Sequence, residues 1–285
     1  MLDAGFVPMK AAIVFAAFLF VATGCAAPDS LGNLEQVAVT AKERGFSVSE
    51  IPAGEFRLAA YLRQLSHPAE TLVIYVEGDG APWLTPYHPP RDPTPLKPMS
   101  LSLALADPAP AVVYLGRPCQ YLKAEALRQC DSTYWVERRF SPEVIAAYDE
   151  AVGRLKTSYS ARSLRLVGYS GGGVIAALLA MRRDDVELLV TVAAPLAVSE
   201  WVAWHGASPL TGSLDPANIQ ADVLLPPSVH FVGGHDKTVP VPIVESFVHR
   251  KGGRIEIVPN FEHECCWAKE WERLLGRLPI QANTK

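Results

Sequence analysis

The sequence predicts an α/β fold in which a mostly parallel β-sheet carries helices on both faces. Three observations lead to this prediction. The chain has 285 residues, of which 49% are hydrophobic, which suits one large domain with a single core. Several runs of Val, Ile and Leu are apolar at almost every position, as is typical of strands buried on both faces. Helical patterns separate the later runs, and this alternation favours parallel strands.

The elements follow one another in a consistent order. LEQVAVTAKERG predicts an opening helix, and FSVSEIP and EFRLAAYLR, two alternating segments joined near Ala53 and Gly54, predict an N-terminal β-hairpin. The apolar strands after the hairpin are TLVIYVEG, AVVYLGR, LRLVGYS, ELLVTVAAP, SVHFVGGHD and RIEIVPN. SPEVIAAYDEAVGRLKTS and VIAALLAMRR have helical spacing and separate some of these strands.

Two long segments interrupt the alternation, namely APWLTPYHPPRDPTPLKP and residues 197–227. Proline removes backbone donors and neither segment has a sustained period, so we expect loop insertions rather than regular core elements. Loops of this length usually form walls or lids of a functional site. Their aromatic residues either bound an apolar pocket or pack the loops onto the body, and both alternatives stay open: Trp83, Tyr87, Trp201 and Trp204.

The N-terminal residues predict export. Lys10 precedes AAIVFAAFLFVA, an apolar stretch too short to span a bilayer comfortably. ATGC, which ends at Cys25, resembles the lipobox of bacterial lipoproteins, whose cysteine is lipidated and becomes the new N-terminus. We expect residues 1–24 to be a signal peptide, with translation starting at Met1 or Met9. Residues 25–285 would then form one domain held by a lipid anchor at a membrane of the cell envelope; a signal peptide without lipidation is the alternative.

Charge and cysteine content bear on partners and compartment. The net charge of -4 and the absence of basic runs with interleaved aromatics exclude a nucleic-acid partner. Disulfides persist outside the cytoplasm, and Cys119 and Cys130, which flank QYLKAEALRQ, form the natural pair. The alternative is that Cys119 and Cys130 are two free buried thiols. The state of Cys265 and Cys266, which are adjacent, stays open.

The segment LRLVGYSGGG places Ser170 between a predicted strand and a predicted helix, within a G-x-S-x-G pattern. A sharp turn here lifts the hydroxyl out of the sheet, and Gly168 and Gly172 leave room for it. The free N–H of Gly171, at the helix start, would stabilise a developing oxyanion.

This segment has two alternative interpretations. Gly171, Gly173 and Ala176 also fit a dinucleotide fingerprint, but that motif needs an acid after the next strand, and Asp184 and Asp185 precede it. A purely structural glycine-rich turn is the other alternative.

A serine nucleophile needs a histidine base and an orienting acid, expected in the order serine, acid, histidine. Asp236 follows the strand SVHFVGG, and His263 follows the last strand, RIEIVPN. The other histidines precede the serine, lie within elements or an insertion, or share the turn of the acid. We therefore predict Ser170 as nucleophile, Asp236 as acid and His263 as base, with a turn or capping role as the alternative for Asp236.

The second oxyanion donor is expected from EGDG, the turn after TLVIYVEG. The N–H of Asp79 would point at the substrate oxygen beside that of Gly171. The alternative is that EGDG forms a simple tight turn without a role in catalysis. The carboxylates of Glu77 and Asp79 would oppose an oxyanion unless they are paired or turned away.

EGDG, RPCQY, GYSGGG, GGHDKTVP and FEHECCW occur in this order, and through them the chain resembles the α/β-hydrolases, in particular exported or lipoprotein hydrolases of bacteria that carry EGDG where others have His-Gly. The resemblance covers essentially the mature chain. It implies the α/β-hydrolase fold, the triad of Ser170, Asp236 and His263, and an oxyanion hole formed by Asp79 and Gly171.

These features predict a serine hydrolase that cleaves an ester or other acyl bond through an acyl-enzyme intermediate. A carboxylesterase or lipase-like enzyme acting on a small-molecule or lipid acyl substrate is the leading hypothesis; peptide, thioester and cell-envelope acyl groups stay open. We expect no organic cofactor and no metal, since no Cys/His spacing suits zinc. The alternatives are an acyltransferase with the same triad and a non-catalytic binding or assembly lipoprotein on this scaffold.

Overall fold

The computed structural model describes residues 1, 34–63, 65, 69–80, 88–220 and 223–279. The predicted signal peptide beyond Met1, together with Cys25, Trp83 and Tyr87, lies outside the described residues. The predictions made for those positions stay predictions.

Within the described ranges, eight strands form one sheet in the order β1-β2-β4-β3-β5-β6-β7-β8. The first two strands form the predicted antiparallel hairpin, and β2 also pairs antiparallel with β4. Every further pair is parallel, so the prediction of a mostly parallel sheet is confirmed. The strands are β1 (Phe46–Ala53), β2 (Phe56–Arg63), β3 (Thr71–Val76), β4 (Val112–Leu115), β5 (Ser163–Tyr169), β6 (Val186–Val192), β7 (Ser228–Gly233) and β8 (Arg254–Val258).

Helices cover both faces of the sheet, as predicted. They are α1 (Leu34–Glu43), α2 (Met99–Ala106), α3 (Ala124–Leu127), α4 (Pro142–Ser158), α5 (Gly171–Ala180), α6 (Val198–Trp204), α7 (Val241–Lys251) and α8 (Trp267–Leu275). Because side chains alternate along a strand, Ile74 of β3 belongs to the core cluster that includes residues of α4, α5 and α7, whereas Tyr75 belongs to the cluster that includes residues of α1, α2 and α8. None of the described helices is long and apolar enough to cross a membrane.

The structure corrects one prediction for residues 197–227, because α6 is a regular helix with Val198 and Val202 in the core. The carboxylate of Asp215 accepts the N–H groups of Val198 and Ser199 at 3.1 and 2.9 Å and so satisfies the helix start. This partner lies in a later part of the insertion, where no local pattern reveals it.

Helix α2 is a further element that the sequence analysis does not include. Its sequence, MSLSLALA, alternates with the period of a strand. Ser100 anchors it to the end of β3, because its hydroxyl donates to the carbonyl of Val76 at 2.6 Å and its N–H donates to Glu77 at 3.2 Å. Tertiary contacts therefore decide the conformation of this segment.

The structure confirms the disulfide between Cys119 and Cys130, whose Cα atoms lie 6.0 Å apart. It also joins Cys265 and Cys266, whose state the sequence left open. The first bridge closes the segment after β4, and the second lies just before α8.

His230 of β7 is a titratable residue inside the core. Its side chain is fully buried and its Nδ1 lies 2.9 Å from Thr191 Oγ1. Burial lowers the pKa of the imidazole from 6.5 to about 3, because the charged form would lose its hydration. The folded protein therefore holds this ring neutral between these two pH values, whereas the unfolded chain protonates it.

Because the unfolded state binds the extra proton, the unfolding free energy should decrease as the pH falls below 6.5. We expect His230 to contribute about 1.4 kcal/mol per pH unit to this decrease, until the pH approaches the folded pKa. His230→Gln should remove that contribution, as measured by urea unfolding at a series of pH values. Equal slopes for parent and variant would contradict the prediction.

Candidate active site

Ser170 lies between β5 and α5 in a strained backbone conformation, with φ 50° and ψ −126°. A side chain rarely tolerates this positive φ. The backbone around it is tied on both sides, since its N–H donates to Val192 and its carbonyl accepts from Gly173, each at 2.9 Å. The turn thus places the side chain beyond the carboxyl edge of the sheet, as the sequence predicts.

The glycines around Ser170 are required by close backbone contacts. A Cβ atom at Gly168 would overlap the carbonyl oxygen of Gly172, and one at Gly172 would overlap the carbonyl oxygen of Val76. Because these neighbours are backbone atoms, they cannot move aside without distorting the turn. The expectation that Gly168 and Gly172 make room is confirmed.

The three predicted triad side chains form one chain of hydrogen bonds. Nε2 of His263 lies 3.1 Å from Oγ of Ser170, and its Nδ1 lies 2.9 Å from Oδ2 of Asp236. The other carboxylate oxygen of Asp236 accepts the N–H groups of Thr238 and Val239, both at 2.8 Å. Asp236 therefore both stabilises its turn and contacts the imidazole.

The loop that carries His263 is held by aromatic residues that the sequence analysis did not identify. The hydroxyl of Tyr169 and the indole N–H of Trp267 donate to the carbonyl of His263 at 3.1 and 2.8 Å. The Tyr169 ring also packs against the imidazole, with centroids 5.3 Å apart. Since Tyr169 precedes the serine, this contact joins the predicted nucleophile to the loop of its base.

The EGDG turn lies directly opposite Ser170. The carboxylate of Asp79 packs so closely against Gly171 that a Cβ atom there would overlap Oδ1. Gly171 is the first residue of α5, and its N–H has no partner within the helix. The structure thus brings together the two residues predicted to form the oxyanion hole.

The two carboxylates of this turn have different surroundings. Glu77 is buried, and its oxygens accept bonds from the N–H of Gly78, the N–H of Ser100 and the hydroxyl of Tyr114 at 2.9, 3.2 and 3.0 Å. Burial raises the pKa of the Glu77 carboxyl, although these bonds act to lower it. Its carboxylate is therefore turned away into the protein.

The Asp79 carboxylate is instead paired with two arginines. Its two oxygens each accept one bond of 2.9 Å, Oδ1 from Arg117 and Oδ2 from Arg139. Burial acts to raise the pKa of the Asp79 carboxyl, but the two guanidinium groups hold it below its ordinary value. Neither arginine was identified from the sequence, where only RPCQY drew attention to Arg117.

A cleft of about 570 Å³ opens beside Ser170. The EGDG turn, the end of the proline-rich insertion from Pro95 to Met99, and the segment from Glu262 to Lys269 form its walls. Trp201 and Trp204 are not part of this lining; the indole of Trp201 donates to the carbonyl of Thr238 instead. Among the described residues of the two insertions, those that line the cleft therefore belong to the proline-rich one.

A pair of substitutions tests the requirement for glycine next to Ser170. Gly172→Ala should lower the unfolding free energy by about 3 kcal/mol or more, because the added methyl group would overlap backbone atoms. Gly153→Ala in the interior of α4, where a Cβ would meet nothing within 4 Å, should raise it by about 0.5–1 kcal/mol. Thermal and urea unfolding would measure both effects; a fully stable Gly172→Ala protein would be inconsistent with this packing.

Comparison with known proteins supports the fold. No sequence-family model and no curated protein sequence matches the chain. An esterase from Pyrococcus furiosus is 13% identical, with a TM-score of 0.58 over 82% of this chain and 91% of that chain. Est1E from Butyrivibrio proteoclasticus is 14% identical, with a TM-score of 0.53 over 80% and 95% of the two chains.

Part of a longer protein, acylaminoacyl peptidase from Pyrococcus horikoshii, is also similar. It is 12% identical, with a TM-score of 0.55 over 76% of this chain and 37% of that chain. At identities this low, the structural similarity establishes a common fold and nothing more. The sheet order, the helices on both faces and these structural neighbours together show that the chain has the α/β-hydrolase fold.

Proposed function

We propose that the protein is a serine hydrolase that cleaves an ester or other acyl bond through an acyl-enzyme intermediate. The observation that carries the proposal is the continuous chain of hydrogen bonds from Asp236 through His263 to Ser170. Ser170 and His263 line a cleft together with the EGDG turn, whose Asp79 packs against Gly171. The esterases and the peptidase among the structural neighbours have the same fold.

In the proposed reaction, Oγ of Ser170 attacks the acyl carbon while Nε2 of His263 takes the hydroxyl proton. Asp236 orients the imidazole and stabilises its positive charge. The N–H groups of Asp79 and Gly171 stabilise the oxyanion of the tetrahedral intermediate. His263 then protonates the leaving group as its bond to the acyl carbon breaks, and water, activated by the same histidine, releases the acid and restores Ser170.

The cleft favours a small-molecule acyl substrate of moderate size, as for a carboxylesterase or a lipase-like enzyme. Its volume lies within the range of about 300–1,000 Å³ that is usual for small-molecule sites. Pro95, Met99 and the Cys265–Cys266 pair provide an apolar lining. Lys97 and Glu264, which are exposed and 3.8 Å apart, add charge at the rim.

The triad can be tested with a fluorophosphonate probe and a series of p-nitrophenyl esters. The parent protein should gain one adduct on Ser170, and Ser170→Ala and His263→Ala should lose both labelling and turnover. Asp236→Asn should lower kcat by about 10⁴-fold, because the imidazole is no longer held in the required tautomer.

His235→Ala is the matched control, because His235 is exposed on the same turn as Asp236 but outside the hydrogen-bonded chain. It should keep its activity within about twofold. Undiminished turnover in Ser170→Ala would rule out the proposal, and a folded parent that neither reacts nor hydrolyses would favour a binding scaffold. A product that forms only with an added acceptor would indicate acyl transfer.

We propose also that the enzyme works in the bacterial cell envelope as a lipoprotein anchored through Cys25. The motif ATGC supports this placement, and acyl chains add about 0.8 kcal/mol of membrane affinity per buried CH₂. Cys25→Ala should move the protein from the membrane fraction to the soluble fraction and prevent incorporation of a labelled fatty acid. A variant that stays in the membrane fraction would exclude lipidation as the anchor.

A further inference from the structure

We infer that Arg117 and Arg139 are positioning residues for the oxyanion hole, which they hold in place through the carboxylate of Asp79. The inference rests on the proposed serine hydrolase function. It assigns a role to two buried cations that the triad mechanism does not use, and it explains how an acidic side chain can belong to the residue that donates to an oxyanion.

Both arginines of the pair are buried, and both oxygens of the Asp79 carboxylate are paired. The side chains of Arg117 and Arg139 are 4% and 11% exposed, and that of Asp79 is 30% exposed. Each guanidinium group contacts a different oxygen, so rotation of the carboxylate would break both bonds. The Coulomb attraction of an ion pair shielded from water is stronger than that of a surface pair, and removing one partner leaves the other charge unpaired.

The two arginines are themselves fixed by the protein. Arg117 donates through Nη2 to the backbone carbonyl of Arg139 at 2.6 Å, and its guanidinium carbon lies 5.3 Å from the centroid of the Phe140 ring. Arg139 donates through Nε to the carbonyl of Val136. Because each cation has further contacts, the position of Asp79 is tied to the body of the protein rather than to a mobile side chain.

Hydrogen bonds of Gln120 also hold the EGDG turn in place. Its Oε1 accepts the N–H of Arg117 at 3.0 Å, and its Nε2 donates to the carbonyl of Gly78 at 3.2 Å. Gln120 follows Cys119, which is part of the disulfide with Cys130. The segment RPCQ therefore contacts both the backbone and the side chain of the EGDG turn.

The pairing of Asp79 with the two arginines also sets the distance between the two oxyanion donors, the N–H groups of Asp79 and Gly171. The Asp79 carboxylate lies against the Cα of Gly171, so a shift of this carboxylate changes how closely the EGDG turn approaches the start of α5. Two guanidinium groups and one carboxylate leave a net charge of one positive unit beside the oxyanion. This charge favours the transition state, whereas an unpaired Asp79 would oppose it.

The experiment compares Arg139→Gln and Arg139→Lys with Arg138→Gln. Arg138 is the adjacent residue, but its side chain is 35% exposed and pairs with Glu143 at the surface. The readouts are kcat and KM for a p-nitrophenyl ester, and the inhibition constant of an alkylboronic acid, which forms a tetrahedral adduct with a serine and so reports on the oxyanion hole. Thermal unfolding checks that each variant is folded.

Arg139→Gln should lower kcat by about 10- to 100-fold with KM within about threefold of the parent value, since displacing a donor costs less than the 10²–10³-fold loss on removing one. The boronate should bind more weakly by the same factor by which kcat/KM falls. Arg139→Lys should recover most of the loss because it keeps the charge. Arg138→Gln should match the parent.

Parent-like kcat and boronate affinity in Arg139→Gln would overturn the inference, as would a lower kcat with unchanged boronate affinity. If Arg139→Gln does not fold, Asp79→Asn serves instead, since it keeps the backbone N–H and the side-chain shape but weakens both pairs. This variant makes the site more positive, so a loss of kcat and of boronate affinity in it reports displacement of the donor and not a loss of positive charge; parent-like values of both would overturn the inference. An inactive parent contradicts the proposed function, whereas an active parent with a fully active Arg139→Gln contradicts the positioning role alone.

Discussion

The backbone conformation of Ser170 is the constraint on which the site depends. A positive φ at a residue with a side chain costs about 1–3 kcal/mol and persists only where the surroundings enforce it. Here β5 enters the turn from a central position in the sheet, and α5, which leaves it, is buried along its whole length. The packing of this strand and helix therefore offsets the strain, and the glycines at 168 and 172 let the two elements approach.

Parallel pairing brings the remaining groups to the same place. Asp79 follows β3, Ser170 follows β5, Asp236 follows β7 and His263 follows β8, and the carboxyl ends of parallel strands lie at one edge of a sheet. Asp79 and His263, which are 184 positions apart along the chain, thus line the same cleft. Strand β6, between β5 and β7, contributes a backbone carbonyl through Val192.

The strands, the hairpin and the relative order of Ser170, Asp236 and His263 could be predicted because their signals are local: apolar runs, glycine spacing and loops after strands. Helix α2 could not be predicted, since its alternating pattern is typical of a strand and its anchor is Ser100 on the end of β3. The partners of Asp79 could not be predicted either, because nothing near Arg139 distinguishes it from a surface arginine. Such roles depend on contacts between segments that are distant in sequence.

The Cys119–Cys130 disulfide connects the proposed chemistry with the proposed compartment. It closes a short loop and so limits the unfolded ensemble of the segment that carries Arg117 and Gln120. Both residues contact the EGDG turn, one through the Asp79 carboxylate and the other through the carbonyl of Gly78. The bridge persists in an oxidising compartment, which is the kind of compartment proposed for this protein. The proposed export and the proposed catalysis therefore place requirements on the same stretch of chain.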